Sequence, residues 1–239
     1  MDLLESLRER IRALGSEPAA RLSRRYFKTG PGEYSEGDLF LGVSVPQLRA
    51  LLPVADSLDE AGILGLLRSG WHEERLFAVL LLVRRFQGAS ETGELRARVV
   101  DLYLQNLASV NNWDLVDSSA SNILGEWLLA RDRSLLDSLA GAQGMWERRV
   151  AVVATLAFIQ QGDLKWTYRL VRRLLNDPND LIQKACGWML REAYKKEAAP
   201  VLDFLDEHGK RMPRTMLRYA IERVPEADRK RLLIKYRSV

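Results

Sequence analysis

The chain has 239 residues, enough to bury a sizeable core, with 47% hydrophobic and 28% charged residues and a formal charge of +4. Its single cysteine, Cys186, excludes an internal disulfide, and two histidines far apart leave no zinc-ligand cluster, so neither metal nor cofactor is expected. No apolar run approaches ~18 residues, which excludes a transmembrane helix. The acidic-containing start Met1-Asp2-Leu3-Leu4-Glu5 is unlike a secretory signal, and a cytoplasmic monomer is expected.

Nearly every segment carries the 3.6-residue period of an amphipathic helix. Leu3, Leu4, Leu7, Ile11 and Leu14 make the first stripe, and Ser16-Glu17-Pro18 marks the next helix start. Thr29-Gly30-Pro31-Gly32-Glu33-Tyr34-Ser35-Glu36-Gly37 reads as an exposed loop, and Ser44-Val45-Pro46 as another helix start. Leu76, Val79, Leu80, Val83 and Phe86 form a second stripe, and Tyr168, Leu170, Val171 and Leu174 a third. Asp177-Pro178-Asn179-Asp180 separates two helices. Alternating strand patterns bounded by hairpin turns are absent, so the fold class is all-α with about a dozen helices.

The helices repeat. Trp71-His72-Glu73-Glu74-Arg75, Trp146-Glu147-Arg148-Arg149 and Leu181-Ile182-Gln183-Lys184 each place a basic residue just before an apolar run. A period near ~35–40 residues with paired helices predicts a HEAT-like solenoid of antiparallel helix pairs. It would cover residues 1–239, as one elongated domain or two closely joined ones. Equivalent positions of successive repeats would line a concave surface, with Arg75, Arg149 and Lys184 sharing it. Charge is uneven: residues 1–60 hold 8 Lys/Arg against 10 Asp/Glu, residues 61–164 hold 10 against 12, and residues 165–239 hold 18 against 10. That basic third suits a polyanion partner, although cations decorating solvated helix faces would give the same tally.

Four residues stand out: Trp113, Asp117, Arg149 and Trp188. Trp113 and Asp117 are four apart and share one helix face a turn from each other. Lys184, Trp188, Arg191 and Lys195 are spaced four, three and four, a stripe of cations and one indole fit to grip phosphates and pack on sugars or bases. Each has a plainer alternative. The tryptophans can be packing residues, Asp117 a cap or ion-pair partner, and Arg149 a strut bonded to carbonyls of the adjacent repeat. Trp71, Trp127, Trp146 and Trp166 are assigned to packing, Cys186, Met189 and Leu190 to the core, and His72 and His208 to no role.

The stretches Gly32–Val43, Val110–Ser118, Asp180–Glu192 and Met212–Ala220 resemble the AlkD-type DNA glycosylases of bacteria, with similarity from about residue 20 to about 235. The resemblance implies a HEAT-like fold, duplex DNA in a concave basic groove, and excision of cationic N3- and N7-alkylated purines. It places the catalytic carboxylate on Asp117, the flanking tryptophans on Trp113 and Trp188, and the pocket arginine on Arg149. Tyr26 and Arg191 fall at DNA-contacting positions, and Lys184, Lys195, Arg214 and Arg218 are counted with them. Where some members carry two consecutive tryptophans, this chain has Asn112-Trp113, a departure expected to alter groove shape.

The chemistry suits these residue types. An alkylated purine is already cationic, so its glycosidic bond breaks without a general acid. One fixed carboxylate then stabilises the oxocarbenium-like sugar and positions water. The resemblance also implies that the damaged nucleotide stays near the stack instead of being flipped. No lysine is placed for a Schiff base, so monofunctional hydrolysis to an abasic site is expected. A competing class is a non-catalytic HEAT scaffold for unusual DNA or a protein partner. Such a scaffold explains the repeats and the basic third, but not the co-occurrence of the four residues.

Overall fold

The structure is a computed structural model that describes residues 2–90 and 93–236. Among these are fourteen α-helices, a few short 3₁₀ or π-helical turns, and one isolated parallel bridge, Leu39 to Trp71. Helix starts fall where local chemistry puts them. Helix α1 (Leu3–Ala13) is capped by Asp2, α2 (Glu17–Tyr26) has Pro18 in its first turn, and α3 (Val45–Leu51) has Pro46 there. The Gln47 side chain accepts the Ser44 N–H at 3.0 Å. Asp59 accepts the Gly62 N–H at 2.8 Å to open α4 (Glu60–Leu67).

The fold has two compact units, Met1–Ser119 and Ala120–Val239. The division falls between α7 (Trp113–Ser119) and a π-helical turn, Ser121–Gly125.

In the first unit α5 (His72–Gly88) is central, packed by α1, α3, α4, α6 (Glu94–Gln105) and α7. The expected stripe Leu76, Val79, Leu80, Val83 and Phe86 is buried, and so are Phe77, Ala78, Leu81 and Leu82. A helix apolar all round belongs in the middle of a core. Each buried Leu, Val or Phe side chain contributes roughly 1.5–3 kcal/mol. The 41–43 segment is held to α5 by Glu73, whose carboxylate accepts the N–H groups of Leu41, Gly42 and Val43 at 2.9, 2.7 and 3.3 Å. Gly42 is required there: its φ is +78°, and a Cβ would lie 2.3 Å from the Ser16 carbonyl oxygen.

In the second unit α9 (Met145–Gln160), α11 (Asp180–Lys196) and α13 (Arg214–Ala220) pack in succession, accompanied by α8 (Ser134–Ala140), α10 (Lys165–Arg173) and α12 (Ala198–His208). The stacked helices begin about 35 residues apart, the spacing of helix-pair repeats. Gly187 lets α11 and α13 touch, since a Cβ would stand 2.5 Å from the Met216 carbonyl oxygen. This contact joins two of the stretches singled out in the sequence. Helix α14 (Glu226–Lys235) ends the described chain.

Candidate functional site

Helix α7 carries Trp113 and Asp117, both half-buried, and it has only seven residues. A helix this short is not stable alone, so its position comes from its neighbours. Asn112, fully buried, precedes it: its Oδ1 accepts the Trp113 N–H at 2.8 Å, and its Nδ2 donates to Ser35 Oγ at 2.6 Å. Ser35 belongs to the 29–37 loop, so that exposed segment is pinned into the unit through one buried hydroxyl. At the far end, the buried Tyr103 hydroxyl meets Ser119 Oγ at 2.9 Å, and Ser119 donates to the Leu115 carbonyl at 2.7 Å. Burial raises the Tyr103 phenol pKa, and the negative charge of Asp117 raises it further.

Behind α7 lies a buried charge network that the sequence does not announce. His72 Nε2 lies 2.8 Å from Asp114 Oδ2, and a carboxylate can only accept, so Nε2 carries the proton. His72 Nδ1 faces Asp38 at 3.6 Å, an ion-pair distance beyond hydrogen bonding. Asp38 also receives Arg75 Nη2 at 2.7 Å, and Arg75 Nη1 donates to the Ser69 carbonyl at 2.9 Å. Burial opposes charge on His72, but the two carboxylates outweigh it and raise its pKa to about 9. Burial likewise opposes ionisation of Asp38, and His72 and Arg75 overcome it, holding that carboxyl below its usual range.

Aromatic rings continue from this network to α7. Phe27 stacks on Trp113 at 5.2 Å and on Phe40 at 5.1 Å, and it tilts against His72 at 4.9 Å. Phe40 stacks on His72 at 4.6 Å. Tyr26, 67% exposed at the end of α2, meets Trp113 edge-on at 5.8 Å. The structure therefore brings two of the expected site residues, Tyr26 and Trp113, into contact.

In the second unit, α11 bears the expected stripe, with Lys184, Trp188 and Arg191 half-buried and Lys195 exposed. Its cations have acidic partners. Lys184 pairs with Asp180 at 2.6 Å, Lys195 with Glu192, and Arg191 with Glu222 and with Glu192 at 3.4 Å. Trp188 Nε1 donates to Glu192 at 3.2 Å. Glu192 thus gathers Trp188, Arg191 and Lys195. Arg214 and Arg218, both exposed, sit on α13, where Arg214 donates to the Leu233 carbonyl at 2.8 Å.

One expectation needs correction. Arg75 and Arg149 do not line a surface with Lys184: they are 4% and 5% exposed. Each guanidinium binds a backbone carbonyl, Arg75 that of Ser69 and Arg149 that of Leu181 at 2.5 Å, so the strut geometry weighed for Arg149 is present. Asn112 is fully buried and points inward to Ser35. His72, given no role from sequence, is the hub of the network described above. Asp38 follows Ser35-Glu36-Gly37 and Asp114 follows Asn111-Asn112-Trp113, so neither stands out in the sequence. Among the described residues, no group of three or more His, Cys, Asp or Glu is arranged to hold a metal ion, and no helix is long and apolar enough to cross a membrane.

This fold is all-α, with stacked helices at repeat spacing in its second unit. A family described as DNA alkylation repair enzyme matches residues 7–224, and the chain belongs to that family. Membership carries a role in DNA alkylation repair, with DNA as the substrate. A solved structure from Enterococcus faecalis, described as a predicted DNA alkylation repair enzyme, is similar in fold. Its TM-score is 0.67 at 19% sequence identity, over 89% of this chain and 97% of that one. No curated protein matches the chain.

Proposed function

We propose that the protein is a monofunctional DNA glycosylase that hydrolyses the N-glycosidic bond of cationic N3- and N7-alkylated purines in duplex DNA, leaving an abasic site without base flipping. The observation that carries this reading is α7. A seven-residue helix clamped at both ends presents an indole and a carboxylate one turn apart, both half-buried. A cationic base is already a good leaving group, so the reaction needs no proton donor. It needs a fixed negative charge beside the sugar, and a carboxylate on an immobilised helix supplies one without reorganisation.

In this reading Asp117 stabilises the sugar cation and orients the attacking water. Trp113, backed by Phe27 on one face, and Trp188, tethered to Glu192, pack on the deoxyribose and the cationic base, contributing about 0.5–2 kcal/mol each. Arg149, 5% exposed, serves the site from beneath, its Nη1 holding the start of α11 through the Leu181 carbonyl and so placing the Lys184 end of the stripe. Tyr26, Lys184, Arg191, Lys195, Arg214 and Arg218 contact DNA in a concave groove of a HEAT-like superhelix.

The test is Asp117→Asn, which keeps size and removes charge. Single-turnover excision of 7-methylguanine should fall by about 10²–10³, the loss typical of one preorganised electrostatic partner, while duplex binding persists. A folded variant that excises at the parental rate refutes the assignment of Asp117. A parent protein that releases no base above the spontaneous rate refutes the glycosylase.

A further inference from the structure

The His72 network has no role in the chemistry above, yet it reaches the first turn of α7 at Asp114. Three features make it more than a core ion pair. The first is its reach: the His72 to Asp114 bond joins α5 to α7 across 42 positions of sequence. The second is its enclosure, since His72 is 2% exposed and its ring lies against Phe27 and Phe40. The third is that Phe27, which tilts against the imidazole, is stacked on the Trp113 indole at 5.2 Å with an interplanar angle of 14°. A core histidine that only filled space would not need both a carboxylate on α7 and a ring shared with Trp113.

We propose that His72 is a positioning residue for base excision, fixing α7 through Asp114 and fixing the Trp113 indole through Phe27. The inference rests on the assignment of Asp117 and Trp113 to the chemistry. The charged groups facing the imidazole are Asp114 from α7, Asp38 from the segment before α3, and Arg75 one turn further along α5. Neighbouring Glu73 and Glu74 are turned elsewhere, to the Leu41–Val43 amides and to Arg8 and Arg12 of α1. With its proton, the imidazole is a cation against the Phe27 face and a donor to Asp114. Without it, one of the two carboxylates faces a bare ring nitrogen. The network should therefore loosen as the pH rises through about 9.

The experiment follows the Trp113 indole N–H resonance of ¹⁵N-labelled protein, assigned with Trp113→Phe, as the pH is raised from neutrality. The resonance should move with a midpoint near the His72 pKa of about 9 in the parent protein, and this movement should vanish in His72→Phe. That variant keeps a ring against Phe27 and Phe40 but has no ring nitrogen for Asp114. Its single-turnover excision of 7-methylguanine at neutral pH should be about 10- to 100-fold slower, as for a small misplacement of reacting groups. Its affinity for undamaged duplex should stay within about twofold of the parent's, a split that general unfolding would not produce. A Trp113 resonance that does not titrate in the parent overturns the proposal, as does a His72→Phe protein that excises at the parental rate. If the parent excises nothing, the glycosylase reading fails and the Trp113 titration alone decides whether His72 positions α7. If His72→Phe does not fold, the parent's titration decides in the same way.

Discussion

Arg191 is expected to grip DNA, but in the protein alone its guanidinium is occupied by Glu222 of the α13–α14 connection and by Glu192 on its own helix. Glu222→Gln tests what this means for binding. The Glu222 side chain is 48% exposed, and a pair of that exposure is worth about 0–1 kcal/mol. Releasing Arg191 before it meets a phosphate costs up to that amount, so removing the carboxylate should tighten duplex binding by up to about fivefold. The salt dependence is more diagnostic. Along α11, Lys184, Arg191 and Lys195 are matched by Asp180, Glu192 and Glu222, so a phosphate that takes one of these cations strands an acidic group needing a counterion of its own. The parent's slope of log K against log salt should thus be shallower than its basic C-terminal third suggests. Glu222→Gln should steepen it by about 0.9, one phosphate's worth. Fluorescence anisotropy with an undamaged duplex over a salt series measures both quantities. An unchanged slope with unchanged or weaker affinity would refute the idea that Arg191 exchanges Glu222 for phosphate.

Asn112→Ala removes bonds to Ser35 and to the Trp113 N–H from a fully buried site, which should cost about 2–3 kcal/mol in stability, read by denaturant unfolding. A cost below about 0.5 kcal/mol, the range of ordinary surface substitutions, would show that the clamp at the start of α7 is not needed. Thermal stability should also carry the signature of His72. Its folded pKa of about 9 lies above the ordinary 6.5, so its contribution is complete below pH 6.5 and is lost as the pH rises through about 9. The parent's melting temperature should fall over that window relative to His72→Phe, and parallel curves would contradict the network.

Local signals were legible in the sequence because they act within a few residues. The starts of α2, α3 and α11 follow from Pro18, Pro46 and the Asp177–Asp180 turn, whose Asn179 caps Leu181 at 2.9 Å. The repeat was legible in the second unit, where the same N-terminal pattern returns on α9 and α11. It misled in two respects. A basic residue before an apolar run marks a position along a helix and not its facing, and the guanidinium groups of Arg75 and Arg149 are tied to the backbone carbonyls of Ser69 and Leu181 instead of lining a surface. The stripe of five residues on α5 names one face, whereas Phe77, Ala78, Leu81 and Leu82 are buried as well and the helix is surrounded. The His72 network was illegible for a different reason. Its partners lie 34 and 42 positions away, on elements whose approach only the tertiary fold decides. The same holds for Glu222, 31 positions beyond Arg191.

These distances bear on how the proposed chemistry is built. A carboxylate that stabilises a cation by preorganisation must not relax when the charge develops, yet α7 has only seven residues and no length from which to derive rigidity. Its placement is borrowed. Asn112 fastens the first residue to the 29–37 loop, Asp114 fastens the first turn to α5, Phe27 fixes the indole, and Ser119 closes the last turn on Tyr103. Every one of these partners lies in the first unit, His72 on α5 itself and Tyr103 on α6, which packs against it. The cations of the stripe lie instead on α11, in the second unit. It follows that substitutions loosening the core around α5 should depress excision more than duplex affinity, and substitutions of Asp180 or Glu222 should shift affinity more than the chemical step. On the proposed reading the fixed carboxylate and its supports belong to the first unit, whereas the cation stripe, with Trp188 among it, belongs to the second.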